Sequence, residues 1–380
     1  MIDFASAHYL GISHPSARLG RYAALTTGVP AALADAPEAR RLAAEAAAMQ
    51  GCEAAMVAPS TLHLAIDVFD RLGRTHALVA DETLYPVMRW GLERMRGLGV
   101  TPDWYRHGSV RDLAARLRAV TRPPAVISDA TRHGGVPVPL ARLVALAAGH
   151  AGLVVIDHTQ VLGLLGAQPT AHAPWGHGGG GLLQYAGLGA AQPVLLLASW
   201  AKAFGAPLAT LCGPAALVQE IARDGPTQSH CSPASQAALL AGLAAVDINR
   251  QEGDARRLRL LERLRQLRAG LLWLARTCLP DLQAGLPLHP VQQLRLGSAV
   301  RTRQLHAGLR AHGLRSALLR QPDGGPALAL IVRADHDADD IDALLAAMAA
   351  VADRLPAPGR GAAPVPFRNS REGQHHVQDR

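Results

Sequence analysis

The chain has 380 residues, a formal net charge of +8 and 49% hydrophobic residues with few aromatics, enough for one large domain or two modest ones. Its arginines are dispersed. The densest run, 256–276, interleaves with Leu258, Leu261, Leu264, Leu267, Leu271 and Leu274 as an amphipathic helix does, so the charge reads as a solvated face and not as a nucleic-acid surface. No apolar run reaches about 18 residues, and Met1-Ile2-Asp3-Phe4 opens no basic-then-apolar leader, so a cytoplasmic protein without a membrane span is expected.

After a short arm, Asp35 to Gln50 reads as an Ala-rich helix with Asp35 as its N-cap and Pro37 in the first turn. From there to about residue 225, apolar runs at 54–58, 77–80, 125–127, 153–156 and 194–198 alternate with helical stretches at 61–71, 86–97, 110–120, 140–148 and 213–223. This alternation predicts a three-layer α/β/α domain on a mainly parallel sheet. A long helix follows from Pro233 past Gly253-Asp254 into the Arg/Leu run. A smaller α+β unit then has strands near 294–299 and 327–332 and a last helix, 338–355, capped by Asp335 or Asp337. The divisions are 1–50 (arm and helix), 51–250 (large domain), 251–355 (small domain) and a Pro-, Gly- and Arg-rich tail, 356–380, expected to be disordered. Cys52, Cys212, Cys231 and Cys278 are scattered without a Cys-x-x-Cys pair, which suits free buried thiols and no metal.

One residue stands outside this composition. Lys202 is the only lysine among 38 Lys and Arg residues. Arg serves wherever charge alone is needed, but only a lysine amine sheds its proton readily enough to act as a nucleophile. Lys202 follows Leu195-Leu196-Leu197-Ala198-Ser199 and precedes Gly205, on the loop leaving a buried strand, which is where open α/β sheets bind ligands. A second apolar run, Leu153-Val154-Val155-Ile156, ends in Asp157. An amine and a carboxylate at two strand ends are what pyridoxal phosphate requires: a lysine for its aldehyde, and an acid to keep its ring nitrogen protonated. Pro59-Ser60-Thr61, between a strand and a helix, offers backbone N–H groups and two hydroxyls for the phosphate, or ordinary helix capping. Ser199 adds a further hydroxyl.

These residues fall in the order found in a known family. Asp3 to Gly11 with the following His14-Pro15, Tyr105-Arg106-His107, Pro139-Leu140, Asp157 through Gly163 and Gly166, and Ser199-x-x-Lys202-Ala203-x-Gly205 resemble the fold-type-I pyridoxal phosphate enzymes, and within them the α-oxoamine synthases. The resemblance spans nearly all of residues 1–355. It implies that Lys202 holds the cofactor and carries the substrate Cα proton, that Asp157 pairs with the ring nitrogen and that Ser199 binds phosphate. It further implies a homodimer with shared active sites, Ser229 reaching the partner's phosphate, acting on an amino acid and an acyl thioester. Tyr85 stands where the family stacks a His on the ring, and Gln160 where it sets a His near the phenolic oxygen. The substrate-carboxylate arginine is displaced to a strand end as Arg333. An aminotransferase or a carbon–carbon lyase on the same scaffold is the alternative, and a non-catalytic scaffold a third. The glycine run 176 to 181 after Trp175 is expected to be a mobile loop of the site, and His133 and His158 partly exposed loop histidines or acid–base groups.

Overall fold

The computed structural model describes residues 1–132, 135–285, 287–321 and 324–357. His133 and all but the first two residues of the tail expected from 356 lie outside the described residues.

The apolar runs of the first two thirds of the chain become strands of a single sheet. In the unit formed by residues 12–132 and 137–254, seven strands lie in the order Ala54–Ala58, Ala209–Gly213, Val194–Ser199, Leu153–Asp157, Pro124–Asp129, Ala77–Asp81 and Asp103–Tyr105. From Val194–Ser199 onward the neighbours are parallel, as strands joined by crossover helices must be. Ala209–Gly213 is antiparallel to both its neighbours. It returns directly from Ser199 through the helix-free residues 200–208, and Lys202 rides on that return.

Period-two alternation places the chemistry. Ala125 and Ile127, Leu153 and Val155, and Leu195 and Leu197 belong to one buried cluster with Phe69 and Met88 of the covering helices Thr61–Thr75 and Pro86–Gly97. The next residues of the same parity are Asp129, Asp157 and Ser199, so that face turns polar at the C-terminal edge of three adjacent strands. The crossover after Ala77–Asp81 leads outward to Asp103–Tyr105, whereas that after Pro124–Asp129 leads the other way, to Leu153–Asp157. This reversal opens a crevice between two strand ends, the ordinary ligand position of such sheets.

Several boundaries differ from expectation. Asp35 does not cap the first helix, Pro37–Gln50. Ala36 holds the N-cap position without a side-chain bond, and Pro37, lacking an N–H, lowers the need for one. Ala209–Gly213 was not anticipated as a strand, because Cys212 and Gly213 adjoin a run better suited to helix; the helix begins at Ala215. Leu258 is 53% exposed whereas Arg257 is buried, since seven residues before Leu264 falls at 257. Of the cysteines, all free, only Cys212 is fully buried.

Residues 1–11 and 135–136 with the described residues from Ala255 to 357 form a second unit. Its antiparallel sheet runs Gln283–Ala284, Val291–Arg295, Pro326–Ile331, Ala317–Arg320. The first predicted strand of this region is displaced: Ala299 opens the helix Ala299–Ala311, with the Ser298 hydroxyl accepting from Arg301 N. The last helix, Ala338–Ala352, is capped by Asp337 in a capping box with Asp340. A buried ion pair anchors the unit, with Arg301 Nε 2.7 Å from Asp281 Oδ2 and its Nη2 2.9 Å from Oδ1. Burial opposes the Asp281 charge, but the Arg301 guanidinium and the Gly297 amide hold it below the ordinary carboxylate value. Asp281→Ala leaves the guanidinium buried and unpaired, and is expected to cost about 3–5 kcal/mol in urea unfolding at neutral pH. The pair's contribution is full above the unfolded carboxylate value near 3.8 and is lost as pH falls through the lower folded value, so wild type and variant converge in acid.

Candidate active site

The loop bearing Lys202 is held from three sides. Trp200, wholly buried, donates from its indole N–H to Thr210 Oγ1 at 2.9 Å and packs on Phe204 with ring centroids 4.9 Å apart. Backbone bonds from Trp200 N to Leu208 O and from Ala206 N to Trp200 O close the turn. His14 bonds the Phe204 carbonyl at 2.8 Å through Nε2. Gly205 has φ +62°, and a Cβ there would stand 2.5 Å from the Ile12 carbonyl oxygen, so the glycine two residues beyond Ala203 is required by both backbone and space.

Lys202 is half-buried, and its amine faces three groups. Tyr85, at the end of the strand-to-helix loop, presents its ring 5.6 Å from Nζ and is 51% exposed. Burial lowers the amine's proton affinity, while Asp157 and Asp129 oppose that shift. Asp157 is 7% exposed, and burial raises its proton affinity, resisted by the Thr159 hydroxyl and amide and by Lys202. Asp129 is paired with Asp157 in register on the neighbouring strand. Its Oδ2 accepts from Tyr85 N at 3.0 Å, and its Oδ1 is buried without a partner. Burial and then Asp157 raise Asp129 to about 8. Among the described residues, this face of the sheet edge thus sets two carboxyl groups, buried Asp157 and half-buried Asp129, against one amine.

Two of these residues escaped the sequence reading. Asp129 ends the run Ala125-Val126-Ile127-Ser128 just as Asp157 ends its own, and that shared signal could have found it. Thr159 could not be found so: its amide donates to Asp157 Oδ1 at 3.0 Å, and its hydroxyl accepts from Ser199 N at 3.0 Å. One side chain thus ties the acid to the start of the lysine loop.

The remaining expected residues fall as follows. Ser199 Oγ accepts from Ala201 N at 3.3 Å. Ala58 pairs with Ala209, which pairs with Ser199, so Ser60 stands two residues beyond that row. Ser60 occupies the N-cap position of Thr61–Thr75 but makes no capping bond; its hydroxyl bonds His63 Nδ1 at 2.8 Å, leaving the first-turn amides without a side-chain acceptor. Thr61 opens that helix. Gln160 is half-buried, three residues past Asp157. Ser229 lies on the short helix Pro226–His230, and among the described residues no bond joins it to the Lys202 cluster.

His158 is neither an exposed loop residue nor an acid–base group. Alternation turns it away from Asp157 and against Gly181, where it is fully buried. Burial drops its imidazole to about 3, and neither ring nitrogen has a partner. The glycine run is likewise packed and not loose: Gly163 N bonds Gly179 O, Gly181 N bonds Leu165 O, and Asn249 Nδ2 bonds Gly178 O at 2.9 Å. A Cβ on Gly166 would collide with the His177 carbonyl. Arg333 is committed to acids within its own unit, with Asp335 at 3.0 Å and Asp3 at 3.6 Å.

The cluster fits pyridoxal phosphate on three counts: two carboxyl groups sharing one amine suit a protonated ring nitrogen, an open tyrosine face beside the amine suits a flat ring, and uncapped helix amides suit a phosphate. Comparison with known proteins agrees. Residues 135–344 match the model of the aminotransferase class I and II family. The chain is 30% identical over 324 residues to the 8-amino-7-oxononanoate synthase of Halorhodospira halophila, covering 84% of this chain and 76% of that one. It is 28% identical over 369 residues to that of Anaeromyxobacter sp., covering 94% and 87%. Among solved structures, the serine palmitoyltransferase of Sphingomonas wittichii superposes with a TM-score of 0.78 at 16% identity over 93% of this chain and 88% of the other. The 8-amino-7-oxononanoate synthase of Francisella tularensis superposes at 0.68, with 15% identity over 93% and 98%. The chain belongs to the aminotransferase class I and II family, and is a fold-type-I, pyridoxal phosphate-dependent transferase.

Proposed function

We propose that this enzyme is an α-oxoamine synthase, condensing an amino acid with an acyl thioester and releasing the thiol, with Lys202 and Asp157 as its catalytic residues. The observation that carries this reading is the lone lysine amine, its proton affinity lowered by burial, facing Asp157 at the C-terminal sheet edge. When bound, pyridoxal phosphate supplies an aldehyde for amines and a ring that accepts the electron pair left at the substrate Cα. Lys202 Nζ would hold the cofactor through its aldehyde and is the base placed to carry the Cα proton. Asp157, desolvated and oriented by Thr159, keeps the ring nitrogen protonated. Tyr85 would stack on the ring, while Ser60, Thr61 and Ser199 with the first-turn amides of Thr61–Thr75 would hold the phosphate. Gln160 would offer the ring's phenolic oxygen an amide, a group that does not titrate. The enzyme works as a cytoplasmic homodimer in which Ser229 reaches the partner's phosphate. Among the described residues no helix is long and apolar enough to cross a membrane.

The test is to mix the holoenzyme with amino acids and acyl-CoA and measure free coenzyme A. Thiol release that requires both substrates supports condensation. Keto acid formed without thiol release would assign an aminotransferase instead, and a colourless protein that takes up no cofactor would return it to a scaffold. Size-exclusion chromatography with light scattering tests the dimer. Thr159→Val keeps the side chain's shape but removes its hydroxyl from a charged acceptor, a bond of about 1.5–3 kcal/mol. Cofactor retention by equilibrium dialysis is expected to weaken about tenfold to a hundredfold. Thr159→Ser should restore it.

A further inference from the structure

The proposed function uses one of the two acids at the sheet edge and leaves the other unexplained. Asp129 sits beside Asp157 in strand register, on the same face and at the same end of the sheet. One of its oxygens takes the Tyr85 amide; the other is buried and bonded to nothing. An ionised carboxylate so placed lacks half its acceptor partners, whereas a protonated one places a hydroxyl there and carries no charge to desolvate.

We infer that Asp129 is a proton-holding partner of Asp157, a positioning residue that keeps the charge facing Lys202 at one carboxylate and so sets how readily that amine becomes a free nucleophile. The inference rests on the reading of Lys202 as the aldehyde-binding amine. The surroundings of Asp129 are acidic on both flanks. Asp157 lies on one neighbouring strand and Asp81 on the other, the Tyr105 hydroxyl is close enough to feel both Asp81 and Asp129, and among the described residues Lys202 is the cation acting on it. Two carboxylates side by side do not both ionise readily, and their protons come off in separate steps that belong to the pair. The directions agree: burial, then Asp157, lift Asp129 to about 8, while Lys202 and the Tyr85 amide only partly offset them.

The functional consequence has a definite sign. Below about pH 7 Asp129 keeps its proton, so the pair carries no second negative charge and burial governs the amine. As pH rises through the Asp129 range its proton leaves to solvent, and a second negative charge then holds the Lys202 ammonium. Asp129 thus opposes the gain in free amine that alkaline pH otherwise brings. An asparagine keeps the shape and an acceptor oxygen but never acquires the charge.

The composition of the chain makes this testable without turnover. Lys202 is the only side-chain amine, so reductive methylation with formaldehyde and cyanoborohydride, read by mass spectrometry of the peptide bearing residue 202, reports on it alone. The full chain freed of cofactor is compared with Asp129→Asn between about pH 6 and pH 10. Equal rates are expected at about pH 6–7. Above about pH 8 the variant should methylate severalfold faster, up to about tenfold, the factor that one unit of amine titration supplies. A ratio that stays constant at every pH, whether unity or a uniform acceleration from a loosened fold, would overturn the inference. A second reading needs no variant: wild type should show an infrared carboxylic-acid carbonyl band that fades as pH rises through about 8. Its absence would overturn the inference equally. Because formaldehyde is not the cofactor, failure of Lys202 to take up pyridoxal phosphate would count against the proposed function while leaving this ratio intact.

Discussion

Lys202→Arg is expected to abolish turnover, lowering kcat/KM by about a thousandfold or more, and to leave urea stability close to wild type. Arg keeps the positive charge beside Asp157 and Asp129, so the electrostatic balance of the sheet edge is retained. What it removes is an amine able to lose its proton, since the guanidinium stays protonated throughout the working range. The substitution therefore separates charge from nucleophilicity, which Lys202→Ala does not. Alanine would leave two acids without their cation and confound loss of chemistry with loss of stability. The measurement is thiol release from acyl-CoA, with urea unfolding run on the same preparations. A variant retaining a tenth of wild-type activity would remove Lys202 from the chemistry.

Asp157→Asn is expected to have the second-largest effect. The carboxylate is buried, and its Oδ1 accepts from the Thr159 amide at 3.0 Å. An amide reproduces the shape and one acceptor but not the charge that stabilises a protonated ring nitrogen. Breaking a buried charge pair costs about 3–5 kcal/mol, so kcat should fall roughly a hundredfold to a few thousandfold. The pH dependence provides an independent check. Burial raises the proton affinity of Asp157 in the cofactor-free chain, and a cation facing it lowers that affinity. Cofactor uptake by wild type should then weaken as pH falls and Asp157 takes up its proton, and this pH dependence should vanish in the variant. An Asp157→Asn enzyme with full activity on pyridoxal phosphate would contradict the assignment.

Much of the site was legible because strand alternation is a strong signal. Leu153 to Ile156 and Leu195 to Ala198 are apolar runs that leave little choice of element. Once they are strands of one sheet, parity puts Asp157 and Ser199 on the same face. Lys202 was legible for a different reason, its solitude in a chain that otherwise uses arginine. The resemblance of ordered motifs then supplied the family, which the family model and the relatives show independently.

What stayed hidden depends on contacts that sequence spacing does not encode. Asp129 closes an apolar run as plainly as Asp157, but only the strand order places these two acids side by side. Thr159 reads as a loop residue until the Ser199 amide is seen to meet its hydroxyl. His158 adjoins the key acid in sequence, yet the alternation that exposes Asp157 to the site buries the next residue behind the sheet. The glycine run looked loose because glycine permits looseness. Here its small size serves close packing, with Gly163, Gly179 and Gly181 bonded into the loop that follows Asp157. Leu258 failed through an error of phase, since the apolar stripe of a long helix passes through Arg257.

The most direct test of the account is to reduce the purified holoenzyme with borohydride, digest it and locate the modified residue by mass spectrometry. A single pyridoxyl-phosphate adduct on the peptide bearing Lys202, with loss of the visible absorbance, is the result expected. An intact Lys202 peptide, with the adduct on the N-terminal amine or nowhere, would contradict the central claim that this one lysine holds the cofactor.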